Sequence, residues 1–336
     1  MSWTILVTGG AGFIGSNYVR RVLSRYPDYR VINLDKLTYS GNLTNLRDVE
    51  ESDRYEFVQG DIADPSVVKP LVERSNAIVN FAAETHVDRS INEPGVFLRT
   101  NIDGVYTLLE AARECGTERF LHVSTDEVYG QVLTGTSPED DPFVPRSPYS
   151  ASKAGADMLV RSYFVSYGLP VLVTRGSNTI GPNQYPEKVV PLFVTNALEG
   201  KPLPIYGSGT AVRDYMHVDD HCGGIDHVLH HGEPGEAYNI GADNEVNTIE
   251  LATAILDELG MSTNLIQHVD DRPGHDMRYA VNTEKLQSIG WELKYSFDES
   301  LSLTVDWYRK NPDWWKPIKE GEYTRWYEEH YNLSRK

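Results

Sequence analysis

The chain has 336 residues, enough to bury a full hydrophobic core, and its 40% hydrophobic content is that of an ordinary globular protein. Its formal net charge of −18, with no long basic block, argues against nucleic acid as a partner, since nucleic acid requires a lysine- and arginine-rich surface. The sequence contains no apolar run long enough to span a bilayer and no signal-peptide pattern at the N-terminus, so we expect a cytoplasmic protein without a membrane partner. Its two cysteines, Cys115 and Cys222, indicate neither a disulfide framework nor a metal site.

Strands and helices alternate in the first half of the chain. The predicted strands are Thr4–Thr8, Arg30–Leu34, Tyr55–Gln59, Ala77–Asn80, Arg119–Ser124 and Val171–Thr174. The predicted helices are Phe13–Arg25, Thr100–Glu114 and Pro148–Tyr167, with Pro148 suited to a first helical turn. This alternation indicates a parallel, doubly wound sheet of Rossmann type.

Glycines and prolines interrupt the pattern after Arg175. The predicted elements there are helices at Val189–Glu199, Thr248–Leu259 (capped by Thr248) and Phe297–Lys310, a strand at Ala237–Ile240 and a loop at Asp270–His275. We therefore expect an α/β fold with a dinucleotide-binding domain over residues 1–175, to which later segments return. A smaller α/β substrate-binding lobe follows over residues 176–336. Its aromatic tail, from Trp314 to Lys336, is expected to pack over the body or over a neighbouring subunit.

A glycine-rich turn joins the first predicted strand to the first helix. Gly9, Gly12 and Gly15 permit a tight turn, close approach of the backbone to a diphosphate and close helix packing. The helix N-terminus would then present free N–H groups to the diphosphate. Asp35 ends the second strand, where a carboxylate accepts from ribose hydroxyls and disfavours a 2′-phosphate, although the neighbouring Lys36 blurs that choice. A tight turn without a ligand is the alternative, and the strand–turn–helix context disfavours it.

A second set of polar residues indicates proton transfer. Tyr149 and Lys153 are four residues apart on one predicted helix and therefore share a face, where the ammonium is expected to lower the pKa of the phenol. Thr125, Asp126 and Glu127 follow the fifth strand at its carboxyl end, where ligands bind in open α/β sheets. A surface ion pair and a solvated loop are the alternatives for each motif alone, and their combination with the glycine turn favours an active site.

These motifs together resemble the extended short-chain dehydrogenase/reductase family. The segments that carry the resemblance are TGGAGFIG from Thr8, FAAETHVDRS from Phe81, STDEVYG from Ser124 and YSASK from Tyr149. It continues through YPEK from Tyr185, VRDYMHVDDHC from Val212, DRPGHDMRY from Asp271 and WWKP from Trp314, and so covers nearly the whole chain. Within the family the chain is most similar to nucleotide-sugar 4,6-dehydratases, since adjacent acid and base residues follow Thr125.

The resemblance implies a tightly bound NAD that is regenerated in each turnover, and a nucleotide-sugar substrate, with dTDP-glucose favoured. Implied catalytic residues are Thr125, Asp126 as acid, Glu127 as base, Tyr149 and Lys153. Implied NAD-binding residues are Gly9, Gly12, Phe13, Ile14, Gly15, Asp35, Lys36, Leu37, Thr38, Asp61, Ile62, Phe81, Ala82, Ala83, Thr85, Thr100, Tyr149, Lys153 and Thr179. Implied substrate-binding residues are Thr85, Thr125, Asn178, Lys188, Val189, Pro204, Ile205, Tyr206, Arg213, Asn247, Arg272 and His275.

Three alternatives to dTDP-glucose dehydration stay open at this point. The substrate could be another nucleoside-diphosphate hexose, or the chain could be a UDP-sugar 4-epimerase or decarboxylase, which loses no water from the sugar. A non-catalytic NAD-binding sensor or scaffold is the third, and it would need neither the Asp126–Glu127 pair nor Tyr149 and Lys153. The resemblance also implies a homodimer formed through paired helices.

One segment departs from the family pattern. Where the family has RCSNNYGP, this chain has RGSNTIGP from Arg175 to Pro182, so that Gly176, Thr179 and Ile180 replace Cys, Asn and Tyr. The second Asn of the pattern touches the cofactor in the family. Thr179 therefore changes a position at which a nicotinamide contact is expected.

Overall fold

The computed structural model of the protein describes residues 2–271 and 274–320. Its strands are β1 (Thr4–Thr8), β2 (Arg30–Asp35), β3 (Tyr55–Gln59), β4 (Ala77–Asn80), β5 (Arg119–Thr125), β6 (Val171–Gly176), β7 (Asn178–Ile180), β8 (Leu203–Tyr206), β9 (Val212–His217), β10 (Ala237–Ile240), β11 (Glu245–Asn247) and β12 (Ile266–Val269). Its α-helices are α1 (Phe13–Arg25), α2 (Pro65–Val72), α3 (Val87–Asn92), α4 (Pro94–Leu98), α5 (Val105–Cys115), α6 (Pro148–Tyr167), α7 (Val189–Leu198), α8 (Val218–His231), α9 (Thr248–Leu259), α10 (Glu284–Ser288), α11 (Phe297–Lys310) and α12 (Pro312–Ile318).

Seven parallel strands form the central sheet, in the order β10-β6-β5-β4-β1-β2-β3. The strand order reverses between β1 and β4, so the connection from β1 to β2 leaves on one side and that from β3 to β4 returns across the sheet. Ligands bind at such a switch point, outside the carboxyl ends of the strands. The predicted Rossmann-type doubly wound sheet is confirmed.

Apolar side chains cover both faces of this sheet, as a buried parallel sheet requires. Val7 and Val79 belong to a cluster that packs against α1 and α8 on one face. Leu6 and Ile78, their neighbours in sequence, belong to a second cluster against α2, α5 and α6 on the other face. The continuous apolar runs in β1 and β4 follow from this two-sided burial.

A third apolar cluster forms the core of the part of the chain that follows the central strands. It is built from α7, α9, α11 and β8, with Phe193, Leu251 and Tyr308 fully buried. Two small sheets border it, with strand orders β11-β9-β7 and β12-β8. The proposed boundary after residue 175 stays a prediction, and α8 and β10 pack on or join the central sheet although they follow that boundary.

Two predictions about helix ends are wrong. The segment expected to begin an α-helix at Thr100 forms a π-helical turn, Arg99–Gly104, before α5 begins at Val105. The helix expected to be capped by Thr248 is capped by Asn247, whose side chain accepts a hydrogen bond from the Glu250 N–H. Asparagine is a stronger N-cap than threonine, and Glu250 completes a capping box by returning a carboxylate to the Asn247 N–H.

The described part of the aromatic tail packs on the body. Trp315 is 2% exposed, and the Trp314 indole donates to the Asn45 side chain at 2.8 Å. The rest of the predicted tail, residues 321–336, lies outside the described residues, as does Arg272. No helix among the described residues is long and apolar enough to cross a membrane.

Candidate active site

A deep cleft lies at the carboxyl ends of the central strands and brings together most of the predicted site. All predicted catalytic residues line it, and so do all predicted NAD-binding residues except Leu37. Four predicted substrate-binding residues also line it: Thr85, Thr125, Asn178 and Lys188. The parallel arrangement explains this convergence, because residues far apart in sequence meet where their strands end.

The glycine turn has the shape that the sequence requires. Gly9 has φ of +70°, and a Cβ there would lie 2.7 Å from the Ala82 nitrogen. A Cβ on Gly15 would overlap the Gly9 carbonyl oxygen. At Gly12 a Cβ would meet only that oxygen, at 3.3 Å, and would project into the cleft. Gly9 and Gly15 are therefore needed for the turn itself, whereas Gly12 keeps the cleft open.

Backbone N–H groups and one ion pair hold the acidic residues at the carboxyl ends of β2 and β3, at the edge of the cleft. The Asp35 carboxylate accepts from the N–H groups of Ala11 at 2.9 Å and Leu37 at 2.8 Å. Leu37, which does not line the cleft, thus holds Asp35 in place. Lys36 donates to Asp61 at 2.8 Å. Since this pairing compensates the lysine charge, Lys36 no longer offers an unpaired cation to a 2′-phosphate, which supports NAD over its 2′-phosphorylated form.

Asp126 and Glu127 lie side by side beyond β5 in different surroundings. Asp126 is 4% exposed, and burial together with the negative charge of Glu127 raises its pKa to about 8. The Thr125 hydroxyl, 3.1 Å from its carboxyl, and the charge of Arg213 lower that pKa only in part. Asp126 is therefore protonated at neutral pH and able to donate. The two carboxyl groups are separated into a proton donor and a negatively charged neighbour, as acid–base chemistry requires.

The expected lowering of the Tyr149 pKa by Lys153 is wrong for the protein alone. Burial and then the charge of Glu127 raise the pKa of Tyr149, while the Thr125 hydroxyl lowers it. The Lys153 ammonium donates to the Val123 carbonyl at 2.7 Å, and burial lowers its pKa to about 8. The four-residue spacing put both side chains on one face of α6, but the Lys153 ammonium turns to the Val123 carbonyl of β5.

A buried hydrogen-bonded chain supports Lys153. The Lys153 nitrogen lies 3.3 Å from Nε2 of His122, whose Nδ1 lies 3.0 Å from the Asn80 amide. Asp157, one turn after Lys153 on α6, receives a hydrogen bond from Arg175 at 2.9 Å and raises the pKa of Lys153 through its charge. Burial lowers the pKa of His122 well below its usual value, so the imidazole is neutral. The chain links β4, β5, β6 and α6 beneath the cleft.

The π-helical turn has a positioning role in the site. Asn101 lies in this turn and is 1% exposed. Its side chain accepts from the Glu84 N–H at 2.9 Å and donates to the Glu84 carbonyl and to Ser152 on α6. It thereby fixes the strand-end segment that carries Thr85. A π turn of this kind is frequent at functional sites.

The remaining predicted substrate-binding residues do not line this cleft, as far as the described residues show. They are Val189, Pro204, Ile205, Tyr206, Arg213, Asn247 and His275. Arg213 and Asn247 are engaged within the protein: Arg213 donates to the Asp276 carbonyl at 2.9 Å, and Asn247 caps α9. Ile205 is fully buried, so a ligand could reach only its backbone. The Tyr206 hydroxyl lies 3.4 Å from Asp88, and its ring lies 6.1 Å from that of His275.

Three acidic or imidazole side chains in the cleft were not singled out from the sequence. Glu187 is buried and accepts from Tyr39 at 2.8 Å, and burial raises the pKa of Glu84. His221 on α8 reaches the cleft next to Gly176. Glu187 stood inside the YPEK segment, where only Lys188 was assigned a role. His221 stood inside the VRDYMHVDDHC segment, where only Arg213 was assigned a role, and its contacts with Gly176 and Thr179 are formed only in the folded chain.

The cleft fits an extended dinucleotide. Gly12, the N-cap of α1, provides no side-chain cap, so the first-turn N–H groups and the positive end of the helix dipole are available to a diphosphate. Asp35 and Asp61 lie on one side of this helix end, and Tyr149 and Lys153 lie on the other. Asp35 and Asp61 suit the adenosine half of the dinucleotide, and Tyr149 and Lys153 suit the half that carries the reacting ring.

Comparison with known proteins gives consistent results along almost the whole chain. A family model described as GDP-mannose 4,6 dehydratase matches residues 6–304. The low-salt glycan biosynthesis protein Agl12 of Haloferax volcanii is 49% identical over 90% of this chain and 98% of its own length. The dTDP-glucose 4,6-dehydratase of Streptomyces antibioticus is 49% identical over 94% and 95%, respectively.

A solved structure has the same fold. It is DesIV, the dTDP-glucose 4,6-dehydratase of Streptomyces venezuelae, determined with NAD and TYD bound. The TM-score is 0.92 and the identity is 49%, over 94% of this chain and 100% of the other.

The raised pKa of Asp126 predicts how stability changes when this residue is made neutral. In the folded protein the carboxyl keeps its proton up to about pH 8, whereas in the unfolded chain it loses the proton near pH 4. Wild-type stability therefore falls relative to Asp126→Asn as the pH rises from 4 to 8. We expect the melting temperature of Asp126→Asn, relative to wild type, to increase steadily from pH 5 to pH 8.

The matched control is Asp140→Asn, at an exposed position. Its melting temperature should follow that of wild type at every pH. A pH-independent difference between Asp126→Asn and wild type would contradict the raised pKa.

Proposed function

Because the chain belongs to the GDP-mannose 4,6 dehydratase family of extended short-chain dehydrogenase/reductases, we propose that it is a dTDP-glucose 4,6-dehydratase. The products are dTDP-4-keto-6-deoxyglucose and water. The observation that carries the proposal is the Asp126–Glu127 pair, in which one carboxyl is protonated and its neighbour supplies negative charge in the same cleft as Tyr149.

The predicted NAD-binding residues line the cleft around the N-terminus of α1. Gly12 and the first turn of α1 bind the diphosphate, Asp35 accepts from the adenosine ribose, and Lys153 holds the ribose of the nicotinamide half. When bound, NAD would supply a positive charge to the cleft and an acceptor for the C4 hydride, which the reduced cofactor would give back at C6. The cofactor therefore stays bound through successive turnovers.

The side chains of the cleft divide the proton transfers among them. Tyr149 takes the proton of the 4-hydroxyl. Burial and the charge of Glu127 keep its pKa high in the protein alone, and the positive charge of bound NAD would act with the Thr125 hydroxyl to lower that pKa. The resulting 4-ketone acidifies the C5 hydrogen, and Glu127 removes that proton. Asp126 donates its proton to the departing C6 hydroxyl, so that water leaves. Glu127 then returns its proton to C5 when hydride reaches C6, which gives the 4-keto-6-deoxy product. Thr125 also hydrogen-bonds the sugar near O4.

The same features weigh against the alternatives. An epimerase or decarboxylase does not expel a hydroxyl from C6, and a buried Asp126 with a pKa of about 8 would then serve no step. A sensor or scaffold would bind NAD without needing a buried lysine supported by His122 and Asp157, an arrangement that is costly to bury. A substrate with another nucleotide, such as UDP- or CDP-glucose, is distinguished from dTDP-glucose by comparing their rates of conversion.

The substrate assignments that follow from the resemblance are part of this proposal. Thr85, Asn178 and Lys188 meet the sugar and diphosphate inside the cleft. Arg213, His275 and Tyr206 meet the diphosphate and the base, together with Asn247 and the backbone of Val189, Pro204 and Ile205. Arg272 is assigned to the same task by the resemblance alone, because it lies outside the described residues. Arginine is suited to this task, because its planar guanidinium makes forked contacts with phosphate.

Mass spectrometry of dTDP-glucose after incubation with the purified protein, without added NAD, tests the proposal. We expect a product lighter by one water, formed faster from dTDP-glucose than from UDP- or CDP-glucose. Conversion of UDP-glucose to a product of the same mass that separates from it by chromatography would support the epimerase. No conversion of any of the three, with NAD added, would contradict the dehydratase and favour the binding protein.

Replacement of Glu127 separates binding from catalysis. We expect Glu127→Gln to retain bound NAD but to form product on the order of 10²–10⁴ times more slowly, because a general base is lost. Glu233→Gln, at an exposed position, is the control and should turn over like wild type. Near-wild-type turnover by Glu127→Gln would remove Glu127 from this role.

We also propose a cytoplasmic homodimer that pairs through α5 and α6. Both cysteines are unpaired, as is usual in a reducing compartment. The two helices pack on each other and expose large apolar side chains to solvent: Tyr106 (50% exposed), Met158 (62%) and Val165 (73%). Met158 and Val165 are two helical turns apart and share a face. Such a face is favourable when a second copy covers it.

A charge placed on this face tests the dimer. We expect wild type to sediment as a dimer at micromolar concentration and Val165→Glu as a monomer, because the apolar interface would have to bury a carboxylate. Leu133→Glu, at a residue that is 63% exposed in a loop, is the control and should leave the dimer intact. A monomeric wild type, or a dimeric Val165→Glu, would contradict the proposal.

A further inference from the structure

His221 occupies a position in the cleft that only a glycine at residue 176 permits. A Cβ added to Gly176 would lie 2.5 Å from both Cε1 and Nε2 of the imidazole. Gly176 does not have a positive φ, so its backbone conformation alone would accept another residue. The glycine is required because the imidazole edge lies where a side chain at residue 176 would project.

Thr179 fixes the orientation of the same ring. Its hydroxyl lies 2.7 Å from Nδ1 of His221 and donates to the Ser177 carbonyl at 3.3 Å. In the tautomer in which this hydroxyl donates to the carbonyl, Nδ1 carries the imidazole proton and donates it to the Thr179 oxygen. Nε2 is then a hydrogen-bond acceptor. Gly176 and Thr179, two of the three departures from the family pattern, are thus coupled through one side chain.

The Nε2 atom is buried and has no hydrogen-bond partner among the residues that the structure describes. His221 is 2% exposed, lines the cleft, and its burial lowers the pKa to about 4, so the ring is neutral. A buried acceptor without a partner costs free energy. A ligand N–H or O–H in the cleft would satisfy it.

The position of His221 in the fold indicates which part of a ligand it meets. Gly176 is the last residue of β6, next to the end of β5 that carries Thr125 and Asp126. Asp35 and Asp61 lie on the opposite side of the switch point between β1 and β4. A dinucleotide that crosses this point with its adenosine near Asp35 places its nicotinamide half near β5 and β6.

We propose that His221 is a cofactor-binding residue whose Nε2 accepts a hydrogen bond from the carboxamide NH₂ of the nicotinamide, in a site made by Gly176 and Thr179. The inference rests on the proposed use of NAD. It assigns to a side chain of α8 the nicotinamide contact for which the sequence had pointed only to Thr179. The contact would fix the rotation of the nicotinamide ring in the cleft.

The test compares NAD with its 3-acetylpyridine analogue, in which a methyl group replaces the carboxamide NH₂. The dissociation constant of each dinucleotide is measured on the full-length protein by calorimetry. We expect wild type to favour NAD over the analogue and His221→Phe to lose that preference by about tenfold, because one buried hydrogen bond is removed.

Two further substitutions separate the cofactor contact from the contact with Thr179. The amide of His221→Gln can replace Nε2 and should retain part of the preference. The shorter amide of His221→Asn can replace only Nδ1, so this variant should lose the preference for NAD as His221→Phe does. Gly176→Ala keeps the histidine but displaces the ring, so it should also lose the preference, and its combination with His221→Phe should add little.

An unchanged NAD-to-analogue ratio in His221→Phe and in Gly176→Ala would overturn the inference. A loss of sugar-nucleotide affinity with that ratio intact would also overturn it, since His221 would then contact the sugar. Failure of wild type to bind either dinucleotide would instead contradict the proposed function. The outcomes for the two proposals are therefore distinguishable.

Discussion

Two neighbouring carboxyl groups cannot both carry a charge at low cost when one of them is buried. Asp126 and Glu127 meet this constraint at the end of β5, and the result is a protonated Asp126 beside the charge of Glu127. Burial, and after it the same charge, raises the pKa of Tyr149, so that Glu127 acts on two groups that hold protons. The chemistry of the cleft follows from this arrangement, since protons must be given and taken at neighbouring sugar atoms.

Hydrogen bonds and ion pairs beneath the cleft stabilise the buried charged groups of the site. Lys153 is held by the Val123 carbonyl, His122 and Asp157, and Asp157 is in turn held by Arg175. These groups lie on β5, β6 and α6, whose apolar side chains belong to the two buried clusters that cover the central sheet. A half-satisfied polar network would weaken the core, whereas a connected one fixes its members in place. The precision of the site thus comes from the sheet as well as from the loops.

Much of the fold was predictable, because apolar runs and glycine spacing are local signals. The strands from β1 to β6 and the long helix α6 were placed within two residues of their observed bounds. Helix α8 was missed because Gly223 and Gly224 weaken a helical pattern. The structure shows why glycine is favourable there: a Cβ on Gly224 would lie 3.0 Å from the Ile240 side chain, so close packing on β10 outweighs helix propensity.

The site was predictable to the extent that its residues belong to short motifs. The spacing of Tyr149 and Lys153 gave their shared face but not the carbonyl to which the lysine turns, because that contact comes from β5. Sequence also marked Gly176 and Thr179 as departures without showing that they surround one imidazole. That relation depends on α8 lying beneath the end of β6, which only the folded chain reveals.

The central claim is that Asp126 is protonated at neutral pH while its neighbour is charged. Infrared difference spectra between wild type and Asp126→Asn, recorded from pH 6 to pH 10, measure this directly. The account predicts a protonated-carboxyl band in wild type that is absent from the variant and that disappears as the pH passes about 8. A wild-type spectrum without that band at pH 6 would show that Asp126 is already ionised and would contradict the division of roles between the two carboxyl groups.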